Sequence, residues 1–212
     1  MEFQKIDILP TQIYEFCIPD ILVTTAINML DKYKLMDTDN RWDNKPHFGK
    51  STPGDKSLHK NFNFNQHVKF IESCLDKVME DLSFNYIEKL KISLMWANVN
   101  KTNQWHHGHK HPWSIVSGIL YLQGNSGRTW FSRKNPYHIS DMFPCYYESE
   151  KAEIIHKHNP KPGTMLIFPS DLIHSVDENK EEQDRITMSF NTFPEGEAGN
   201  KLNLSGFDLK II

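Results

Sequence analysis

Arg185-Ile186-Thr187-Met188-Ser189-Phe190-Asn191 alternates polar and apolar side chains without a break. A period of two belongs to a β-strand, whose successive side chains leave opposite faces. Ile186, Met188 and Phe190 are therefore predicted to enter a core, while Arg185, Thr187, Ser189 and Asn191 share the other face. That polar face has two readings. It is either the solvated side of an antiparallel strand, or the wall of a site. In the second reading, the planar fork of Arg185 grips a carboxylate and the Thr187 hydroxyl adds a hydrogen bond.

Working outward, residues 91–100 (KISLMWANVN), 115–123 (IVSGILYLQ), 128–132 and 164–169 (TMLIFP) also read as strands, and the last strand is predicted over 185–193. Upstream the pattern changes. Residues 11–17 alternate loosely as a strand, and Pro19-Asp20 opens a helix with Leu22, Ala26, Leu30 and Tyr33 at helical spacing. Val68, Ile71, Leu75, Val78 and Leu82 draw one apolar stripe along a second helix over 65–82. Helices first and strands afterwards predict an α+β fold, with the helices bracing one face of a sandwich or barrel. Residues 37–63, rich in Asp, Asn, Lys, Pro and Gly, read as an exposed connection. The long mixed segment 133–159 is either a lid over a site or a structural insertion.

The 212 residues suit one domain spanning 1–212. A hydrophobic content of 38% with 24% charged residues is that of a globular chain rather than a disordered or fibrous one. A net charge of -3 gives no general electrostatic reason to bind nucleic acid or an anionic membrane, so neither is expected as a partner. Cys17, Cys74 and Cys145 are odd in number and lack a CxxC pair, which argues against a disulfide framework and a thiolate zinc site. The first sixteen residues lack the basic start and apolar run of a secretory signal, and no apolar stretch reaches membrane-spanning length. A cytoplasmic location is the expectation; oligomeric state is not readable.

Four of the eleven histidines fall at 106, 107, 109 and 111, just before the strand at 115–123. On an extended chain His107, His109 and His111 point one way while His106 and Lys110 point the other. Adjacent members of the first set could share a metal. Imidazole suits iron, copper, nickel and zinc, and a site that must admit O2 or substrate keeps positions open by using about three protein ligands. His174, between apolar neighbours after the strand at 164–169, is the candidate for the third. A lone histidine there would read as structural; the cluster upstream changes the balance. His156 and His158 read as surface or edge-strand residues, and Trp105, Trp113 and Trp130 as core or recognition aromatics.

In order along the chain stand His109-Lys110-His111-Pro112, Ser117-Gly118-Ile119-Leu120-Tyr121-Leu122, Gly127 to Phe131, Pro162-Gly163 to Phe168-Pro169, His174, and Arg185 eleven positions on. Together they resemble the 2-oxoglutarate and Fe(II)-dependent oxygenase superfamily, especially its prolyl-4-hydroxylase-like branch, over roughly residues 92–193. The resemblance implies a double-stranded β-helix, a jelly-roll of the cupin type, with its core at about 91–193. It implies Fe(II) and 2-oxoglutarate, with ascorbate as an accessory, in a hydroxylase acting on a peptide side chain or small metabolite. By resemblance His109 and His174 ligate iron, Arg185 binds the distal carboxylate of 2-oxoglutarate, and Tyr121 and Thr187 assist it. His111 departs from the pattern, standing where the family has a carboxylate. Either three histidines hold the metal, or an acid, water or anion completes the set. A cupin-like metalloprotein without 2-oxoglutarate and a non-catalytic metal-binding module are the competing classes.

Overall fold

The computed structural model describes residues 11–33, 36–37, 50–51, 56–84, 87–134, 153–199 and 207–211. Its first half runs β1 (Tyr14–Cys17), α1 (Asp20–Leu30), β2 (Met36–Asp37), β3 (Lys50–Ser51), two 3-10 turns over Leu58–Lys60 and Phe62–Phe64, and α2 (Asn65–Asp81). There follow β4 (Ile87–Asn100), β5 (His106–His109), β6 (Val116–Gln123), β7 (Thr129–Lys134) and β8 (Glu153–His158). The last elements are β9 (Thr164–Pro169), β10 (Ile173–Val176), β11 (Arg185–Ala198) and β12 (Phe207–Leu209).

These strands form two antiparallel sheets. The larger has the order β1-β9-β6-β11-β4-β3-β2, with β12 also on β11, and the smaller the order β5-β10-β7-β8. Sequential neighbours such as β9 and β10 lie in different sheets, which is the double-stranded β-helix expected above. Alternation sorts the residues of the large sheet into two cores. On one face Met95, Ala97, Leu120, Met165, Ile167, Met188 and Phe190 join Ile71, Leu75 and Val78 of α2 and Ala26 and Leu30 of α1. The other face carries Ile119, Tyr121, Leu166 and Phe168, which meet Phe131 of β7 and Leu172 between the sheets. β6, central and covered on both sides, is accordingly an almost unbroken apolar run.

Gly118 in β6 is dictated by close approach, since a Cβ there would lie 2.2 Å from the Phe190 ring and 2.9 Å from the Leu166 carbonyl oxygen. Both predicted helices form, and the predicted strands extend: the 91–100 strand begins at Ile87 and the 185–193 strand continues to Ala198. The sequence does not mark β5, β8 and β10, because HHGH, EIIHKH and IHSV neither alternate polar with apolar residues nor form an apolar run. Residues 153–158 of the 133–159 segment pair with β7 as an edge strand, and 135–152 lie outside the described residues, as do 38–49 and 52–55 of the 37–63 connection. Among the described residues no helix is long and apolar enough to cross a membrane.

Candidate metal and carboxylate site

Between the sheets lies a cavity of about 320 Å3. Its floor is the polar face of β11 and β4. Arg185, Thr187 and Ser189 stand opposite Asn100, Asn98 and Trp96 in register, so three cross-strand rows run along the cavity. Its roof is β5 and β10, where His109 pairs with His174 and His106 with Val176. Three steps along β5 match two along β10, so β5 bulges around His107 and Gly108. The bulge corrects the simple alternation predicted above: it brings His106 to the cavity alongside His109, while His107 borders the cavity as an exposed residue outside the converging trio.

His109, His111 and His174 come together with one ring nitrogen each inside a 4.8 Å span. His174 Nε2 and His111 Nε2 are 3.2 Å apart, about the separation of two imidazole nitrogens sharing a metal at roughly 2.1 Å. His109 Nδ1–H donates to the His107 carbonyl at 2.9 Å and His174 Nδ1–H to the Leu172 carbonyl at 3.0 Å. Each bond fixes the tautomer that leaves the Nε2 lone pair facing the centre. Asn191 Nδ2 lies 3.5 Å from His111 Nδ1, and the Ser117 hydroxyl donates to Asn191 Oδ1 at 2.8 Å. Phe168 and Phe131 back the His174 ring at 4.9 and 6.2 Å.

Burial keeps these imidazoles neutral. It holds His111 down at about 3 and His174 at about 4, helped by the neighbouring rings, and it also lowers His109. His106, which accepts from Asn100 at 3.1 Å, is pushed to about 3 by burial and by the Arg185 charge. Near neutral pH the trio is a set of uncharged nitrogen donors with no proton to displace. Among the described residues no carboxylate joins it.

Arg185, at the far end of the floor, is the largest fully buried side chain among the described residues, with 1% of its surface exposed. Its Nε and Nη2, and the Oγ1 of Thr187, are buried without a hydrogen-bond partner. An unpaired buried guanidinium costs several kcal/mol of solvation unless an anion meets it. The polar stripe of β11 is thus a buried wall and not a solvated face. Tyr121 stands behind it: its ring lies 5.6 Å from the guanidinium, and its hydroxyl donates to Thr129 at 2.8 Å.

Other sequence expectations fall elsewhere. His156 and His158 sit on edge strand β8, stacked near Phe131 and Tyr121 and outside the trio. Neither Trp105 nor Trp113 nor Trp130 lines the cavity; Trp113 is 89% exposed and Trp130 lies between Arg128 and Lys157. The aromatic wall is Trp96, joined by Lys56, and neither was singled out from sequence.

Residues 94–191 match a family model described as 2OG-Fe(II) oxygenase. Comparison with curated proteins by sequence finds no match. Solved structures share the fold. HygX from Streptomyces hygroscopicus, solved with nickel and 2-oxoglutarate, has a TM-score of 0.56 at 11% identity, covering 87% of this chain and 83% of that one. A Pseudomonas putida prolyl-4-hydroxylase gives 0.55 at 14%, covering 88% and 94%. SnoK, an alpha-ketoglutarate-dependent carbocyclase of nogalamycin biosynthesis, gives 0.64 at 11%, covering 94% and 89%.

Proposed function

We propose that the chain is a 2-oxoglutarate and Fe(II)-dependent oxygenase, a reading supported by the family match over residues 94–191, and that it hydroxylates a C–H bond of a compact substrate at the cavity between its sheets. One observation carries the reading: a buried guanidinium and hydroxyl without partners, Arg185 and Thr187, share one cavity with three converging imidazole nitrogens. A dicarboxylic keto acid has an anionic end for the first group and a chelating end for a metal on the second.

His109, His111 and His174 are the residues that would hold Fe(II), each through Nε2. The carbonyls of His107 and Leu172 keep two of the rings in the ligating tautomer. Arg185 grips the distal carboxylate and Thr187 donates its hydroxyl to it. Tyr121 supports the guanidinium from behind, which makes it a positioning residue acting through Arg185. Ile119, Phe168 and Val176 line the cavity with apolar surface that limits water. When bound, Fe(II) and 2-oxoglutarate supply the oxidant with O2, yielding hydroxylated product, succinate and CO2. With imidazole at 111 in place of the family's carboxylate, the loaded centre carries about one more unit of positive charge.

The test is turnover of 2-oxoglutarate itself. The Fe(II)-loaded protein in air should convert 2-oxoglutarate to succinate slowly without a substrate, and removal of iron by a chelator should stop it. Iron-loaded protein that consumes no 2-oxoglutarate, and does not bind it, would instead favour a metalloprotein without this cosubstrate.

A further inference from the structure

Lys56 stands at the end of the cavity opposite Arg185. Its Nζ lies 4.6 Å from the centre of the Trp96 ring, and Trp96 in turn is 5.7 Å from His111. Trp96 is opposite Ser189, four residues along β11 from Arg185, so about 13 Å separates the two ends. The trio lies on the Lys56 side, close enough for the ammonium charge to act on both His109 and His111.

Three features set this lysine apart from a surface cation. First, among the described residues no carboxylate pairs with it, and burial lowers the affinity of its amine for a proton. Second, its backbone is left-handed, with φ at 47°, and pinned there because Met95 N–H donates to its carbonyl at 2.7 Å beside the Ser57–Met95 bridge. A non-glycine residue in that region costs on the order of 1–3 kcal/mol. Glycine or asparagine would fit the turn more cheaply. Third, among the described residues of the cavity wall Lys56 and Arg185 are the lysine and arginine, and no aspartate or glutamate joins them. The neutral imidazole at 111 adds no negative charge beside Lys56. A low-dielectric cleft lined by one sign of charge concentrates ligands of the other sign.

We propose that Lys56, seated on Trp96, binds the carboxylate of the substrate, which is a small organic acid. The proposal rests on the function given above, in which Arg185 is occupied by 2-oxoglutarate and Lys56 remains for the second anion. The cavity is at the small end of the range of ligand sites, which favours a compact acid over a peptide.

The full chain, loaded with Fe(II) and 2-oxoglutarate without O2, would be titrated calorimetrically. The probes are free L-amino acids and hydroxy and dicarboxylic acids of two to six carbons, each beside its amide. At least one acid should bind, with its amide about tenfold or more weaker, as for loss of one hydrogen bond to a charged group. Lys56→Met should bring the acid down to the level of the amide, Lys56→Arg should restore the preference, and 2-oxoglutarate affinity should stay within about twofold. Acids and amides binding alike, no acid binding, or an unchanged preference in Lys56→Met would overturn the proposal. So would weakened 2-oxoglutarate binding in Lys56→Met, which would assign the ammonium to the cosubstrate. Tighter binding of a blocked peptide with an internal glutamate than of every free acid would overturn the small-molecule assignment. If wild type fails to bind 2-oxoglutarate, the cosubstrate reading falls instead, and the acid-to-amide comparison is read on the Fe(II) protein alone.

Discussion

Replacing Arg185 by methionine is expected to abolish 2-oxoglutarate binding and yet raise the thermal midpoint of the ligand-free protein. The side chain is 1% exposed, with Nε and Nη2 unsatisfied, and its surroundings, the Tyr121 ring and the His106 imidazole among them, supply no anion. In the folded, ligand-free chain it therefore pays desolvation with little return, and burial works against its protonated form. Methionine fills similar volume without a charge. Exchanging a poorly compensated buried ion for an apolar side chain stabilises by about 1 kcal/mol or more, or roughly 2–4 °C for a chain of this size. Loss of a bidentate, charge-assisted contact should cost 2-oxoglutarate at least about a hundredfold in affinity. Melting curves and calorimetric titration measure the two effects separately. A lower midpoint with unchanged 2-oxoglutarate affinity would make Arg185 a structural residue and remove the carboxylate site.

His174→Ala is expected to lose stoichiometric Fe(II), with affinity falling by more than the roughly 10–100-fold that removal of an outer partner of a ligand costs. The ring is buried, aimed by Leu172 and backed by Phe168, so its Nε2 has little freedom to be anywhere but at the centre of the trio. Truncation also leaves a gap in the aromatic layer and an unpaired Leu172 carbonyl, a loss of about 1–3 kcal/mol. His106→Ala is the control. It removes a cavity imidazole of similar environment that lies outside the trio, and it should retain iron. Metal analysis after gel filtration decides: equal iron in wild type and His174→Ala would place the metal elsewhere.

What could be read from sequence follows the reach of local periodicity. The stripe on β11 was legible because seven residues of strict alternation lie in a strand paired on both sides. His109, His111 and His174 were legible through the order of motifs along the chain. Which neighbours share their cavity was not, because the bulge at Gly108 breaks the period of two and reassigns His106 to the inner face. Trp96, Asn98 and Asn100 escaped for a different reason. The strand carrying them holds Ser93, Met95 and Ala97 between its larger residues, so neither face looks polar in isolation, and only pairing with Ser189, Thr187 and Arg185 shows which face meets the cavity. Lys56 lay in a stretch read as an exposed connection. Its position is set by a hydrogen bond from Met95, thirty-nine residues away, which no local pattern encodes.

In the proposed function one cavity binds Fe(II) on histidines and 2-oxoglutarate on Arg185. Anaerobic titration of the Fe(II)-loaded protein with 2-oxoglutarate, followed by visible absorption, tests it most directly, in wild type beside His111→Ala with iron content measured for both. A weak metal-to-ligand charge-transfer band should appear and saturate in wild type, and both iron and band should be lost in His111→Ala. A wild-type protein holding stoichiometric iron that develops no band would contradict it.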